Sequence, residues 1–180
     1  METKLKTRTQ TQTILILLNV VAWVALIGFV IKAGAILISF GVSFLNPGAA
    51  KNLYLGLDLH QLLQHSWWQY TVVVSFWVGQ LFLKAYALFL VTGILAKVSL
   101  MSPFTAVVAR KLETLSQVFL GAWVLALLHN AHVGWLMKRT AIALAEWPAQ
   151  EFLIMAGVVF VISQVFKRGV EIQSENELTV

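Results

Sequence analysis

An all-α fold, a bundle of four transmembrane helices with both termini in the cytoplasm, is what this 180-residue chain predicts. Long apolar runs, scarce charge and a one-sided distribution of basic residues predict it. The runs lie at about residues 14–45, 71–98, 115–137 and 150–166. A helical residue advances ~1.5 Å, so roughly 20 residues cross a hydrocarbon layer ~30 Å thick. Hydrophobic residues make up 59% of the chain and charged residues 12%, about half the charged share of a soluble domain. Mean hydropathy is +0.80. The length suits one membrane domain and no second soluble one.

Orientation follows from the basic residues. Lys4, Lys6 and Arg8 precede the first run, Lys97, Arg110 and Lys111 separate the second from the third, and Lys167 and Arg168 follow the fourth. Only Lys51, Lys138 and Arg139 fall on the opposite side, with Lys32 and Lys84 inside runs. The positive-inside rule places the richer side in the cytoplasm. Trp67, Trp68, Tyr70, Trp135 and Trp147 cluster at the other, outer ends, where amphipathic rings settle. The net charge of +5 is thus a consequence of topology and gives no ground for direct nucleic-acid binding. The class implied is a multi-pass membrane protein.

Taken in order, residues 1–13 are polar, rich in Thr and Gln, and predict a cytoplasmic tail. The first helix, about 14–45, is too long and too apolar beyond Lys32 for a cleaved signal peptide. At ~48 Å it must tilt, break near Gly34 or project outward. Asn46-Pro47-Gly48 stops it. In the outer segment 49–70, Leu53, Leu55, Leu57 and Leu59 alternate as in a strand, and a short interfacial helix is expected around Leu59–Trp68. The second helix spans about 71–98. Ser102 as N-cap and Pro103 at the first helical position start a third helix over about 103–137. Trp147-Pro148 opens a fourth over about 149–168, closing a membrane domain of 14–166, with a cytoplasmic tail at 169–180.

Lys84 is the most unusual residue, ~20 Å along its helix from either end of the second run. An ammonium at that depth is costly and tends to mark function. Gln80 shares its face, and no run contains an Asp or Glu apart from Glu151 at the opening of the fourth. Lys84 must therefore be neutral, hydrated in a cavity, or bonded to Gln80 and backbone carbonyls, and with Gln80 it forms an intramembrane polar site, either a ligand or anion contact or a polar seam that orients helices. Lys32 can snorkel to the outer surface, with Glu151 as a candidate partner. Asn19, Thr92, Gln117, Ser163 and Gln164 share the cytoplasmic half and predict a hydrogen-bonded layer between helices. His129 and His132, three apart, are the only metal-ligand candidates; ordinary interfacial histidines have the same spacing. No cofactor is implied.

Enzymatic constellations are missing. No paired carboxylates, Ser–His–Asp set, phosphate-cradling glycine loop or metalloprotease helix motif occurs, and the absence of cysteine excludes thiol chemistry and disulfides.

Two stretches carry a resemblance. One runs from Gly93-Ile94-Leu95-Ala96-Lys97 through Ser102-Pro103-Phe104-Thr105 to Arg110-Lys111-Leu112. The other runs from Ala156-Gly157 through Phe166-Lys167-Arg168-Gly169 to Glu175-Asn176-Glu177-Leu178-Thr179-Val180. Together they resemble a bacterial four-helix membrane family of unknown function, with a Pro-Phe turn before the third helix and a tail ending Glu-Asn-acidic-Leu-Thr. Residues 105–109 lack the family's polar residue after the turn, and Ile172 replaces its leucine. Members are typically encoded beside a small Cro/CI-type helix-turn-helix repressor. The resemblance implies a non-enzymatic regulatory or sensory partner of such a DNA-binding regulator. The charges of the tail offer Lys167, Arg168, Glu171, Glu175, Asn176 and Glu177 as its docking surface, or equally a solvated helix end whose basic pair anchors to anionic lipid. The residues also allow a small transporter or permeability protein for an amphipathic or anionic solute, acting as a homo-oligomer in the lipid bilayer.

Overall fold

The computed structural model describes residues 10–97 and 104–177, with side chains through residue 175. Its elements are α1 (Gln10–Ser43), a 3-10 turn (Pro47–Lys51), α2 (His60–His65), α3 (Trp67–Leu95), α4 (Ala106–Thr140) and α5 (Ala149–Glu177). No strand occurs among the described residues. α1, α3, α4 and α5 are each long and apolar enough to cross a membrane. The expected tail through residue 9 and the Ser102-Pro103 start signal lie outside the described residues.

Local chemistry explains where the boundaries fall. α1 starts four residues before the apolar run and passes Gly34 without a break. Its stop is the expected one, with Asn46 Oδ1 accepting from the Gly48 amide at 3.0 Å. The leucine alternation at 53–59 makes no strand. The Leu53 amide donates to the Leu57 carbonyl (2.9 Å) and the Leu57 amide to that of Tyr54 (3.0 Å), closing a tight turn. Leu55 and Gly56 have positive φ at its tip. Leu53, Leu59 and Leu62 drop into the core while Leu55 stays 85% exposed. Ser66 ends α2 and starts α3, its Oγ accepting from the Gln69 amide, so α3 opens at Trp67 rather than at residue 71. Thr105 caps α4, accepting from the Val108 amide at 3.3 Å, which sets the described start at Ala106 rather than 103. α4 then runs to Thr140, past the expected end at 137, and turns at Ala141 in the left-handed region. α5 does not stop at 168. Helix continues through the segment expected as a separate tail, as far as Glu177.

Sequence neighbours are neighbours in space. α1 packs on α3, α3 on α4 and α4 on α5, while no comparable packing joins α1 to α5. The bundle is a curved row with α3 and α4 inside and α1 and α5 at its edges. The apolar stretches of α3 and α4 are accordingly buried far more than those of α1 and α5. The densest core gathers Ile36, Leu53, Leu62, Tyr70, Val73 and Leu136 at the end that carries the 3-10 turn and α2, the capped end. There Tyr70 donates from its hydroxyl to Ser43 Oγ (3.0 Å), and Ser43 donates to the Phe40 carbonyl (2.6 Å). The opposite end holds Lys97, Arg110, Lys111, Lys167 and Arg168 and is the basic end.

Contacts define a common level across the row. Lys32 Nζ lies 5.7 Å from the Trp77 ring centroid, Trp77 meets Trp147 edge-on at 5.3 Å, and Trp147 stacks on His129 at 3.7 Å with 5° between planes. From this level about 20 residues lead along the helices to Gln12, Lys97, Arg110 and Lys167. Four equal spans of roughly 30 Å match one hydrocarbon thickness. Above the level, residues 141–148 run back along α4 to reach it, so α5 begins there rather than at the top of the cap. Exposed apolar residues continue along α1 and just past its end to Phe44 and Leu45.

Candidate functional site

The open seam between the two edge helices contains a cleft of about 380 Å³, within the range of small-molecule sites. α1 contributes Phe29 and Lys32, α3 contributes Trp77, Gln80, Leu81 and Lys84, and the start of α5 with its preceding turn contributes Trp147, Pro148, Glu151 and Phe152. Gln80 and Lys84, one turn apart on α3, both line this cavity. They are not bonded to each other. Gln80 is only 4% exposed, and neither its Nε2 nor its Oε1 has a hydrogen-bond partner. Lys84 Nζ lies between two aromatic faces, 5.9 Å from the Phe29 centroid and 5.6 Å from that of Phe152. Such faces attract a cation without replacing its lost hydration.

Lys32 and Glu151 face the same cleft but make no ion pair; Lys32 instead sits over Tyr54 (5.6 Å) and Trp77. The cleft thus carries two lysines and one carboxylate, with one positive charge unbalanced. α1 and α5 do not pack closely on each other along this seam.

His129 and His132 pack against aromatic rings. His129, 1% exposed, is the flat surface on which Trp147 stacks, and its Nδ1 lies 3.3 Å from Asn130 Oδ1. His132 lies among Phe76 and Trp135. Among the described residues no group of three or more His, Cys, Asp or Glu comes together to hold a metal. Asn130 fixes the mouth of the cleft. Its Nδ2 donates to the Trp147 carbonyl and its Oδ1 accepts from the Trp147 amide, both at 2.8 Å. One amide side chain therefore satisfies both backbone groups of Trp147, as a strand would. Nothing in the sequence distinguished Asn130, because its partner is 17 residues away across an irregular link.

The expected polar layer does not form. Thr92 donates to the Phe89 carbonyl (2.8 Å) and Ser163 to that of Phe160 (2.7 Å), each within its own helix. Gln164 reaches only Ser163, Gln117 is exposed, and Asn19 Oδ1 has no partner. Hydroxyls in lipid find the carbonyl one turn back more readily than a neighbouring helix.

At the basic end the two stretches that carry the resemblance meet. Phe104 packs edge-on against Phe166 at 5.2 Å. It also fills the space over Gly169, where an added Cβ would fall 2.5 Å from the ring. Lys167, expected on a free docking surface, is instead bound to Glu113 of α4 at 2.8 Å. Arg168 pairs with Glu171 one turn on at 2.7 Å, and both are exposed, as is Glu175. Asn176 and Glu177 lie on the last helical turn.

No family model, curated protein or solved structure matches the chain. Membership of a class therefore rests on geometry alone: a multi-pass, helical membrane protein with a cationic cleft.

Proposed function

We propose that the chain is a non-enzymatic sensory protein of the bacterial inner membrane, which detects a ligand in the cleft and reports it through α5 to a small cytoplasmic helix-turn-helix repressor. One observation carries the proposal. α5 is a single helix with Glu151 and Phe152 at the cleft and Arg168, Glu171 and Glu175 exposed at the basic end. It packs chiefly on α4, so an occupant that draws its first turns toward α1 tilts the whole rod. A rigid helix that shifts at one end delivers a displacement at the other. In this orientation the basic end is cytoplasmic. The acidic residues of the last turns then offer a face to a basic DNA-binding protein, in competition with phosphate.

The test is co-purification with a small helix-turn-helix regulator of the kind the resemblance implies. Glu171→Lys combined with Glu175→Lys should abolish capture, while the Glu113–Lys167 pair keeps the basic end folded. Undiminished capture by the doubly reversed protein would contradict the proposal. The depth of Lys84 favours a second reading, a permeability protein for an amphipathic or anionic solute. Loss of uptake in Lys84→Ala cells, with no change in transcription of the regulator's targets, would select it.

A further inference from the structure

We infer that the cleft binds an amphiphilic anion: a phosphate or carboxylate head held by Lys32, Lys84 and Gln80, with an apolar chain lying between Phe29 and Phe152 in the seam. The inference rests on the cleft being the signal site proposed above and names the chemical class of its occupant.

Three independent features converge on this class. The first is charge. Two lysines face one glutamate in a cavity lined otherwise by aromatic and aliphatic groups, and no ion pair forms among them. An anion of unit charge balances the site, whereas a cation or a neutral molecule leaves it unbalanced. The second is Gln80, whose buried amide has one end that donates and one that accepts, both unused. A buried polar group left unpaired is costly, so the occupant, alone or with a water that it holds in place, supplies both an acceptor and a donor. An anionic oxygen beside a hydroxyl, as in a glycerol-phosphate or a protonated phosphate, supplies the two together. Water alone would satisfy the amide and leave the charge unbalanced. The third is shape. The walls Phe29, Trp77, Leu81 and Phe152 are apolar, and without close α1–α5 packing the cleft is open to the side rather than a closed chamber. A small inorganic anion would leave those walls uncovered, whereas a chain covers them and continues into the bilayer.

The head group can belong to a bilayer phospholipid or to a free single-chain amphiphile. Native mass spectrometry of the full-length chain, released from micelles containing equimolar phosphatidylcholine and phosphatidylglycerol, tests the shared chemistry. Oleate and inorganic phosphate in parallel samples distinguish the sources. The expected result is a one-to-one adduct with phosphatidylglycerol, oleate or both, favoured about tenfold over phosphatidylcholine. Lys84→Met and Gln80→Leu should each reduce it about tenfold, Lys84→Arg should retain it, and Lys51→Met, at the cap surface, should leave it unchanged. An adduct with phosphatidylglycerol alone assigns a membrane lipid, and one with oleate alone assigns a free amphiphile. No preference for anionic amphiphiles, an adduct equally strong in Lys84→Met, or displacement by inorganic phosphate at equal concentration would each overturn the inference. Regulator capture that persists without any anion preference would overturn this inference alone. Anion preference without regulator capture would overturn only the proposed output.

Discussion

Asn130→Ala should destabilise the protein by about 2–4 kcal/mol, more than any other single truncation of an exposed or half-buried polar side chain. Two hydrogen bonds of 2.8 Å disappear together. Each contributes ~1 kcal/mol net, and the Trp147 amide, left half-buried without a partner, raises the loss toward the upper figure, whereas the Trp147 carbonyl keeps its bond from the Ala149 amide at 2.8 Å. The effect is not confined to stability. Trp147 is the hinge that seats the first turn of α5 against His129 and Trp77. Once released, it should lose its stacking, and the cleft wall formed by Glu151 and Phe152 should move away from Lys84. Thermal unfolding in detergent reads the first effect, and tryptophan emission reads the second as a red shift. Asn130→Asp, which keeps the acceptor and loses the donor, should fall between wild type and alanine. A loss below ~0.5 kcal/mol would mean that water replaces the amide and that the link is not held by it.

The second large effect concerns the other end. Gly169→Leu should cost about 1–3 kcal/mol by overpacking. A Cβ at Gly169 would lie within 2.5–2.9 Å of three ring atoms of Phe104, including the ring carbon nearest the backbone, so a rotation of the ring tip does not clear it. Phe166 closes off the other side of the ring. The first residues of α4 must then lift away from α5, and the basic end should become sensitive to protease added from that side. Phe104→Ala should itself destabilise, yet the double variant with Gly169→Leu should be more stable than the two costs added together. Such coupling is expected only of groups in contact. Strict additivity would show that ring and glycine do not touch.

Much of the architecture was legible in the sequence. Length and apolarity alone locate four spans, because a bilayer imposes a minimum length on any helix that crosses it. The Asn46-Pro47-Gly48 stop and the Trp147-Pro148 start were equally plain. Packing order was not. α1 is apolar on all sides, so no stripe says which face meets α3 or that none meets α5. The absence of a stop signal near Phe166 pointed to α5 continuing toward Gly169 or beyond, but its extent to Glu177 was not plain because the charged residues look like solvated tail. In the structure Lys167 reaches Glu113 and Arg168 reaches Glu171, and these pairs belong to a helix. Lys84 and Gln80 stood out from the sequence for their depth. Their aromatic surroundings did not, because Phe29 and Phe152 come from helices more than 50 residues away on either side of Lys84 in the chain. The polar layer failed for a local reason: hydroxyls bonded back to their own helices, which hydropathy and spacing do not reveal.

The central claim is that Lys84 opens into a cleft rather than facing lipid or packed core. The chain has no cysteine, so single cysteines report accessibility without background. A membrane-impermeant anionic thiol reagent, added to the intact membrane from the α2 side, reacts only with a thiolate that water and anions can reach. Lys84→Cys should be modified at least about tenfold faster than Val158→Cys or Leu120→Cys, at similar depth on exposed apolar faces. Modification of Lys84→Cys as slow as that of the two lipid-facing positions would contradict the account.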